Sequence, residues 1–279
     1  MNIRLIAFDL DGTLLDDQKN IPEDNIAALR AAAAEGILIV PASGRIYPFM
    51  PEPVRTVLSA RYFITTNGGS VYDAANDEIL YSAQIPLDQA IRVLDHMDSL
   101  DVLYDCYADN KRYTCASFAE RADDYFTGPL MNYMLHTYIL RTMQRTDDLR
   151  GFIIERGGPL QKMQMYFSNP DERLRQLQIL PRLFPDLAIS TSLPNNIEIN
   201  SAEATKGQAL SALCDRLRID RSEVIVFGDG LNDLDMLQFA GLPVAMDNAD
   251  PLIKEHSAFI TCSNNDAGIA KALRHFKII

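Results

Sequence analysis

The stretch Ile3-Arg4-Leu5-Ile6-Ala7-Phe8-Asp9-Leu10-Asp11-Gly12-Thr13 decides the fold. Ile3 to Phe8 is an apolar run rich in branched residues, with no period-two alternation. Such a run is a strand covered on both faces, as in a parallel sheet. It stops at Asp-Leu-Asp-Gly, which puts two carboxylates at the carboxyl end of a buried strand.

Outward from this run, Pro22-Glu-Asp opens a helix with proline and acids in its first turn, and Gly36 closes it. Ile37 to Val40 reads as a second buried strand, ending at Pro41-Ala-Ser-Gly-Arg. A further helix leads to Tyr62-Phe-Ile-Thr-Thr and the turn signal Asn67-Gly68-Gly69. This alternation predicts a right-handed α/β sheet. From Ile85 to Pro194 the chain becomes richer in aromatics and methionine, with short strands such as Val102–Tyr107 and Met163–Phe167. After Asn195 the first pattern resumes: Asn196–Asn200 is strand-like, Thr205–Leu217 reads as a helix, and Val224-Ile-Val-Phe is a buried strand ending in Gly-Asp-Gly. The expectation is an α/β domain built from residues 1–84 and 195–279, with residues 85–194 inserted as a second domain.

With 279 residues, 47% of them apolar, the chain can bury a sizeable core. A net charge of −12 repels phosphate backbones and anionic membranes, so neither nucleic acid nor membrane is an expected partner. The four cysteines (Cys106, Cys115, Cys214, Cys262) have no metal-ligand or CxxC spacing and read as small buried residues of a reducing compartment. The N-terminal apolar run is too short for a signal peptide, and no segment has the length of a membrane span, so a cytoplasmic protein is expected.

Three polar clusters follow apolar strands: Asp9-Leu10-Asp11-Gly12-Thr13, Ser43-Gly44-Arg45 and Asp229-Gly-Leu-Asn232-Asp233. Ligands of open α/β sheets bind beyond the carboxyl ends of the strands, so these clusters converge on one rim, and Lys206 at a helix start can join them. A turn at Gly12 can bring Asp9 and Asp11 to one pocket, and a helix start between Asp229 and Asp233 does the same for that pair. Several carboxylates in one cleft call for a cation, and oxygen-only ligands suit a hard ion such as magnesium. Lys206, Ser43 and the backbone N–H groups of the first turn would complete an anion site. Taken singly, Asp-Gly pairs are ordinary turns, and Asp11-Gly12 does not open an EF-hand, because Asn20 stands where an acid is needed. Cys106-Tyr-Ala-Asp-Asn-Lys-Arg112 fits a bare Cys-x5-Arg pattern but lacks a glycine for a phosphate cradle. Tyr125, Phe126, Met131, Tyr133 and Met134 could line a substrate pocket or pack the inserted domain's own core.

Asp9-Leu-Asp11-Gly12-Thr13, Ser43 in Ser-Gly-Arg, Lys206 in Thr-Lys-Gly-Gln, and Gly228-Asp229-Gly-Leu-Asn232-Asp233 together resemble the haloacid dehalogenase superfamily. Within it they are most similar to Cof-type phosphatases with a class IIB cap. That resemblance implies a Rossmann-like parallel-sheet core with an inserted α+β cap, and a magnesium-dependent phosphatase acting on small phosphorylated metabolites. It implies Asp9 as nucleophile, through an aspartyl-phosphate, and Asp11 as acid and base. Metal contacts would come from Asp9, Asp11 (by its backbone carbonyl), Asp229 and Asp233. The phosphoryl group would be held by Leu10, Gly12, Ser43, Gly44, Lys206 and Asn232, with Asn67 and Gly68 forming a turn beside them. A sugar phosphomutase of the same superfamily, or a silent phosphometabolite-binding module, is the alternative.

Overall fold

The computed structural model describes residues 2–279. Strands β1 (Leu5–Asp9), β2 (Leu38–Ala42), β3 (Tyr62–Thr65), β4 (Ser70–Asp73) and β5 (Glu78–Ser82) come first. Strands β6 (Leu103–Ala108), β7 (Lys111–Cys115), β8 (Met143–Thr146), β9 (Lys162–Tyr166), β10 (Leu187–Ser190) and β11 (Asn196–Ser201) follow. The last are β12 (Val224–Gly228), β13 (Leu242–Ala245) and β14 (Phe259–Ile260). The chain divides into two compact units: one is the chain as far as Ser82 together with Ala204–Ile279, the other Ala83–Glu203.

The first unit holds an eight-stranded sheet in the order β14-β13-β12-β1-β2-β3-β4-β5. Every residue of β1 and β12 is buried, as continuous apolar runs require when helices cover both faces. β1 runs parallel to both neighbours, with Leu5 opposite Val224 and Leu38. Helix Glu23–Ala34 makes the crossover to β2 and ends before Gly36, whose φ of +84° suits a residue without a Cβ. The edge strands β4 and β5 are antiparallel, an extension the sequence pattern does not announce. From β1 the chain winds one way to β2 and β3, and from β12 the other way to β13 and β14. The crevice beyond the carboxyl ends of β1 and β12 is therefore the topological switch point.

The second unit holds a six-stranded sheet, β10-β11-β9-β6-β7-β8, antiparallel except for the β7–β8 pair. Its strands alternate. Met163, Met165, Cys106, Ile197 and Ile199 form a core with residues of helices Leu87–Asp98, Leu149–Arg156 and Pro170–Leu183. On the other face Leu103 and Tyr166 pack against Phe118, Phe126, Leu135 and Ile139. The chain returns to the first unit at Ala204, later than the expected Asn195, because β11 pairs with β9 and β10 of the second sheet.

Tyr125 and Phe126 belong to the second unit's own core, with Met131 packed against it, whereas Tyr133 is 58% exposed. Cys106 and Arg112 lie on opposite faces of the β6–β7 hairpin, since Arg112 stands opposite Tyr107 and Cys106 faces the apolar core. Burial pushes the Cys106 thiol well above its ordinary value, and Arg112 is ion-paired to Asp105. The two form no phosphate loop. Among the described residues, no helix is long and apolar enough to cross a membrane.

Candidate active site

Asp9 is the last residue of β1, and Asp229 follows directly on β12. Two adjacent parallel strands thus deliver carboxylates to the same crevice. Asp233 sits one short turn later, and its Oδ2 accepts the backbone N–H groups of Asp229 (3.0 Å) and Gly230 (3.1 Å), which fixes the loop on itself. Lys206 begins the helix Lys206–Leu217, whose N-cap Thr205 accepts the Gln208 N–H. The Lys206 side chain is fully buried, and its Nζ lies 2.5 Å from Asp9 Oδ1 and 2.6 Å from Asp233 Oδ1.

Oxygens of Asp9, Asp229 and Asp233 all lie within 4.8 Å of one another. Burial, reinforced by the charge of Asp233, pushes the Asp9 carboxyl up to about 7 although Lys206 opposes it. Asp229 rises to about 6 for the same reasons, tempered by Thr13, whose hydroxyl donates to Asp229 Oδ1 at 2.6 Å. Lys206 is held up as a cation by Asp233 and Asp9 against burial. When all three carboxyls are ionised, the one ammonium leaves a net charge of minus two among them. A hard divalent cation fits such a set in charge and in ligand chemistry. Gly12 leaves the space the cluster needs: its φ is +85°, and a Cβ there would overlap the Asp229 carboxylate.

The Asp11 carboxylate stands outside this group. It is bound by Arg45 Nη2 at 2.7 Å and Lys19 Nζ at 2.8 Å, with its side chain 41% exposed. Burial works to raise it, but Arg45 and Lys19 outweigh that and hold it below the ordinary carboxylate value. Of the remaining expected residues, Leu10 and Ser43 are buried, Gly44 is half-buried beside Asn67, and Asn232 is exposed with its Nδ2 donating to Asn67 Oδ1 at 3.4 Å.

Sequence reasoning assigned no role to Arg45, Lys19, Thr13 or Asn248. Asn248 Nδ2 donates to the Gly12 carbonyl at 2.8 Å, and Asn264 N–H donates to Asn248 Oδ1. Arg45 and Thr13 are the last residues of two of the polar clusters, which is a signal of sorts. Lys19 and Asn248 carry none, because their contacts depend on loop paths.

Comparison with known proteins bears on the whole chain. The family model described as haloacid dehalogenase-like hydrolase matches residues 6–273. A Bacillus subtilis relative, 5-amino-6-(5-phospho-D-ribitylamino)uracil phosphatase YcsE, is 28% identical over 99% of this chain and 96% of its own length. Phosphatase YwpJ of the same organism is 28% identical, covering 98% of this chain and 99% of its own. The crystal structure of TM0651 from Thermotoga maritima superposes with a TM-score of 0.81 at 28% identity, covering 98% of this chain and 97% of that one. With that model spanning residues 6–273 and these relatives matching over nearly their whole length, the chain belongs to the haloacid dehalogenase-like hydrolases, as a phosphatase of the Cof type.

Proposed function

We propose that the protein is a magnesium-dependent phosphatase that hydrolyses small phosphorylated metabolites through an aspartyl-phosphate on Asp9. The observation that carries this reading is the buried Asp9–Lys206–Asp233 chain beside Asp229 at the ends of β1 and β12. Asp9 Oδ1 is held by an ammonium, and the other oxygen of this carboxylate would be the nucleophile. Attack forms the Asp9 Oδ–P bond and breaks the bond from phosphorus to the ester oxygen, splitting one hard displacement into two easier ones. Asp11 donates a proton to the leaving oxygen in the first step; in the second it takes one from the water whose oxygen bonds to phosphorus as the Asp9 Oδ–P bond breaks, which frees phosphate and restores Asp9. Arg45 and Lys19 hold it as a carboxylate while no substrate is bound, so its proton arrives with or after the substrate.

Lys206 and the Ser43 hydroxyl would bind the transferring oxygens, and Lys206 holds Asp9 as well. Asp9, Asp229 and Asp233 would hold the magnesium ion, which when bound supplies Lewis-acid stabilisation of phosphoryl charge. Substrate choice falls to the inserted unit, because the residues above deal only with phosphorus and its oxygens. A relative named for a phosphoribitylamino-uracil places such sugar-alcohol phosphates on the panel to be tried.

The test is hydrolysis of a generic aryl phosphate with magnesium, with and without chelator, using Asp9→Asn as the blank. Magnesium-dependent release of phosphate, lost in the variant, is expected. Release that persists in Asp9→Asn would overturn the assignment, and an isomerised sugar phosphate without free phosphate would point to a mutase.

A further inference from the structure

Between β3 and β4 the backbone does something costly. Thr66 has φ +51° and Asn67 φ +57°, followed by Gly68 at φ +97°. Left-handed backbone is rare for non-glycine residues and an outlier for a β-branched one, so three in succession persist only where the surroundings demand it.

What surrounds the turn is the active site, on every side. The Asn67 N–H donates to the Ser43 carbonyl and the Thr66 N–H to the Arg45 carbonyl, both at 3.0 Å, so the turn clamps the loop that carries Ser43 and Arg45. Arg45 in turn grips Asp11. Asn67 Oδ1 accepts from Asn232 Nδ2 in the loop after β12 and lies against Gly44. Gly68 packs so closely on the start of helix Lys206–Leu217 that a Cβ would overlap the Thr205 carbonyl and crowd the Lys206 nitrogen. One strained turn therefore abuts the loop behind Ser43, the base of Lys206 and the loop of Asn232.

We propose that Thr66-Asn67-Gly68 is the positioning element of the site, setting the seat of Lys206 through Gly68 and the pose of the Ser43–Arg45 loop through the backbone of Thr66 and Asn67. This rests on the phosphatase reading above, with Lys206 and Ser43 as its phosphoryl-binding groups. The contacts of these residues described above are with groups that flank the reacting atoms. Their effect travels through others.

Gly68→Ala tests it against Gly36→Ala. Both glycines have positive φ, +97° and +84°, so both alanines strain the backbone, but the added methyl at position 36 meets nothing within 4 Å. Gly68→Ala is expected to lower kcat and kcat/KM of aryl phosphate hydrolysis together, on the order of 10²-fold, as loss of a transition-state contact does. Gly36→Ala, which carries the backbone strain without the overlap, should keep wild-type kcat and lose less of its melting temperature than Gly68→Ala. In crystals of Gly68→Ala, Lys206 Nζ should move away from Asp9 by about 0.5 Å or more. Equal kcat in the two variants, or an unmoved Lys206, overturns the proposal. Should Gly68→Ala fail to fold, Asn67→Val carries the test, because a β-branched residue disfavours the left-handed backbone that presents the Asn67 N–H to the Ser43 carbonyl. It is expected to lower kcat with KM kept, and wild-type kcat there would refute the role of the turn. If the wild-type protein releases no phosphate, the phosphatase reading fails, while the crystal comparison still decides the positioning claim.

Discussion

Each unit of this protein buries a knot of charge, and the two knots differ in their balance. In the first, Lys206 stands alone among Asp9, Asp229 and Asp233. In the second, Arg112 pairs with Asp105 and Lys162 with Glu198, cation for anion, and Tyr166, Gln164 and Ser192 add hydrogen bonds, with only Asp105 Oδ1 lacking one among the charged atoms described there. Charge that is matched and hydrogen-bonded inside a protein holds a structure in register. Charge left over has to be matched by something that arrives. On the proposed reading the excess belongs to the place of chemistry and the balanced knot to the framework, although the residues of the second are at least as deeply buried.

The largest effect should come from Lys206→Met. Removing the only cation of the first knot is expected to lower kcat on the order of 10³-fold, as loss of a charge-stabilising donor does. It should also cost about 3–5 kcal/mol of stability, the penalty for breaking a buried pair. Urea melts with and without magnesium check this. The stability loss should shrink when magnesium is added, because the ion replaces part of the missing positive charge. A loss indifferent to magnesium would mean that the three carboxylates do not form a cation site.

Arg112→Met should cost about as much stability, about 3–5 kcal/mol, by stranding Asp105. The difference lies in repair. Adding Asp105→Leu to Arg112→Met should recover most of that loss in a denaturant melt, since a balanced pair can be exchanged for apolar residues as a unit. No second substitution should restore turnover to Lys206→Met. If Arg112→Met with Asp105→Leu stays as unstable as the single variant, the second knot is more than framework.

This contrast was only half visible in the sequence. The first knot could be found because its acids stand where continuous apolar runs stop: Asp9 after Leu5–Phe8, and Asp229 after Val224–Phe227. In a parallel sheet all such ends point one way, so position along the chain converts into position in space. The second knot is written in alternation. Lys162-Met-Gln-Met-Tyr and Asn196-Ile-Glu-Ile-Asn switch polarity at every residue, the mark of an antiparallel sheet with two unlike faces. Reading Asn196–Asn200 as a return to the first pattern overlooked that period, which is why the second unit ends later than expected. Ion-pair partners were not legible at all. Nothing in the spacing of Lys19, Arg45 and Asp11 says that both cations reach the same carboxylate, because that depends on the path of the loop from Gly12 to Asn20.

A smaller effect is expected at Glu198, and it depends on pH. Burial works to raise this carboxyl, but Lys162, Ser192 and Gln164 more than offset it, so it lies below the ordinary value of 4.5. A lowered folded-state value means that the carboxylate contributes stability fully above about pH 4.5 and loses it as pH falls through the lower folded value. Glu198→Gln should therefore cost about 1–3 kcal/mol near pH 7 and less near pH 3, read from paired denaturant melts. Burial holds Asp105 above its ordinary value, which tilts stability the other way, but wild type and variant share that slope and it cancels in the difference. A gap that stays constant with pH would show that Glu198 is not the titrating group of the second knot.

The smallest effect belongs to Lys19. Its bond to Asp11, at 2.8 Å, is only slightly longer than the 2.5–2.7 Å of the buried pairs, yet its side chain is 61% exposed and that of Asp11 41%. Water and salt screen such a pair, so Lys19→Met should change stability by less than about 1 kcal/mol. The same ceiling on the interaction limits the loss of kcat to below about fivefold, because Arg45 still holds Asp11 from the other side. Raising salt in the wild-type assay should reproduce part of that loss, whereas the Lys206 contacts, shut away from solvent, should not respond. Equal sensitivity of Lys19→Met and Lys206→Met would mean that burial is not what separates a working charge from a decorative one, and the distinction between the two knots would lose its physical basis.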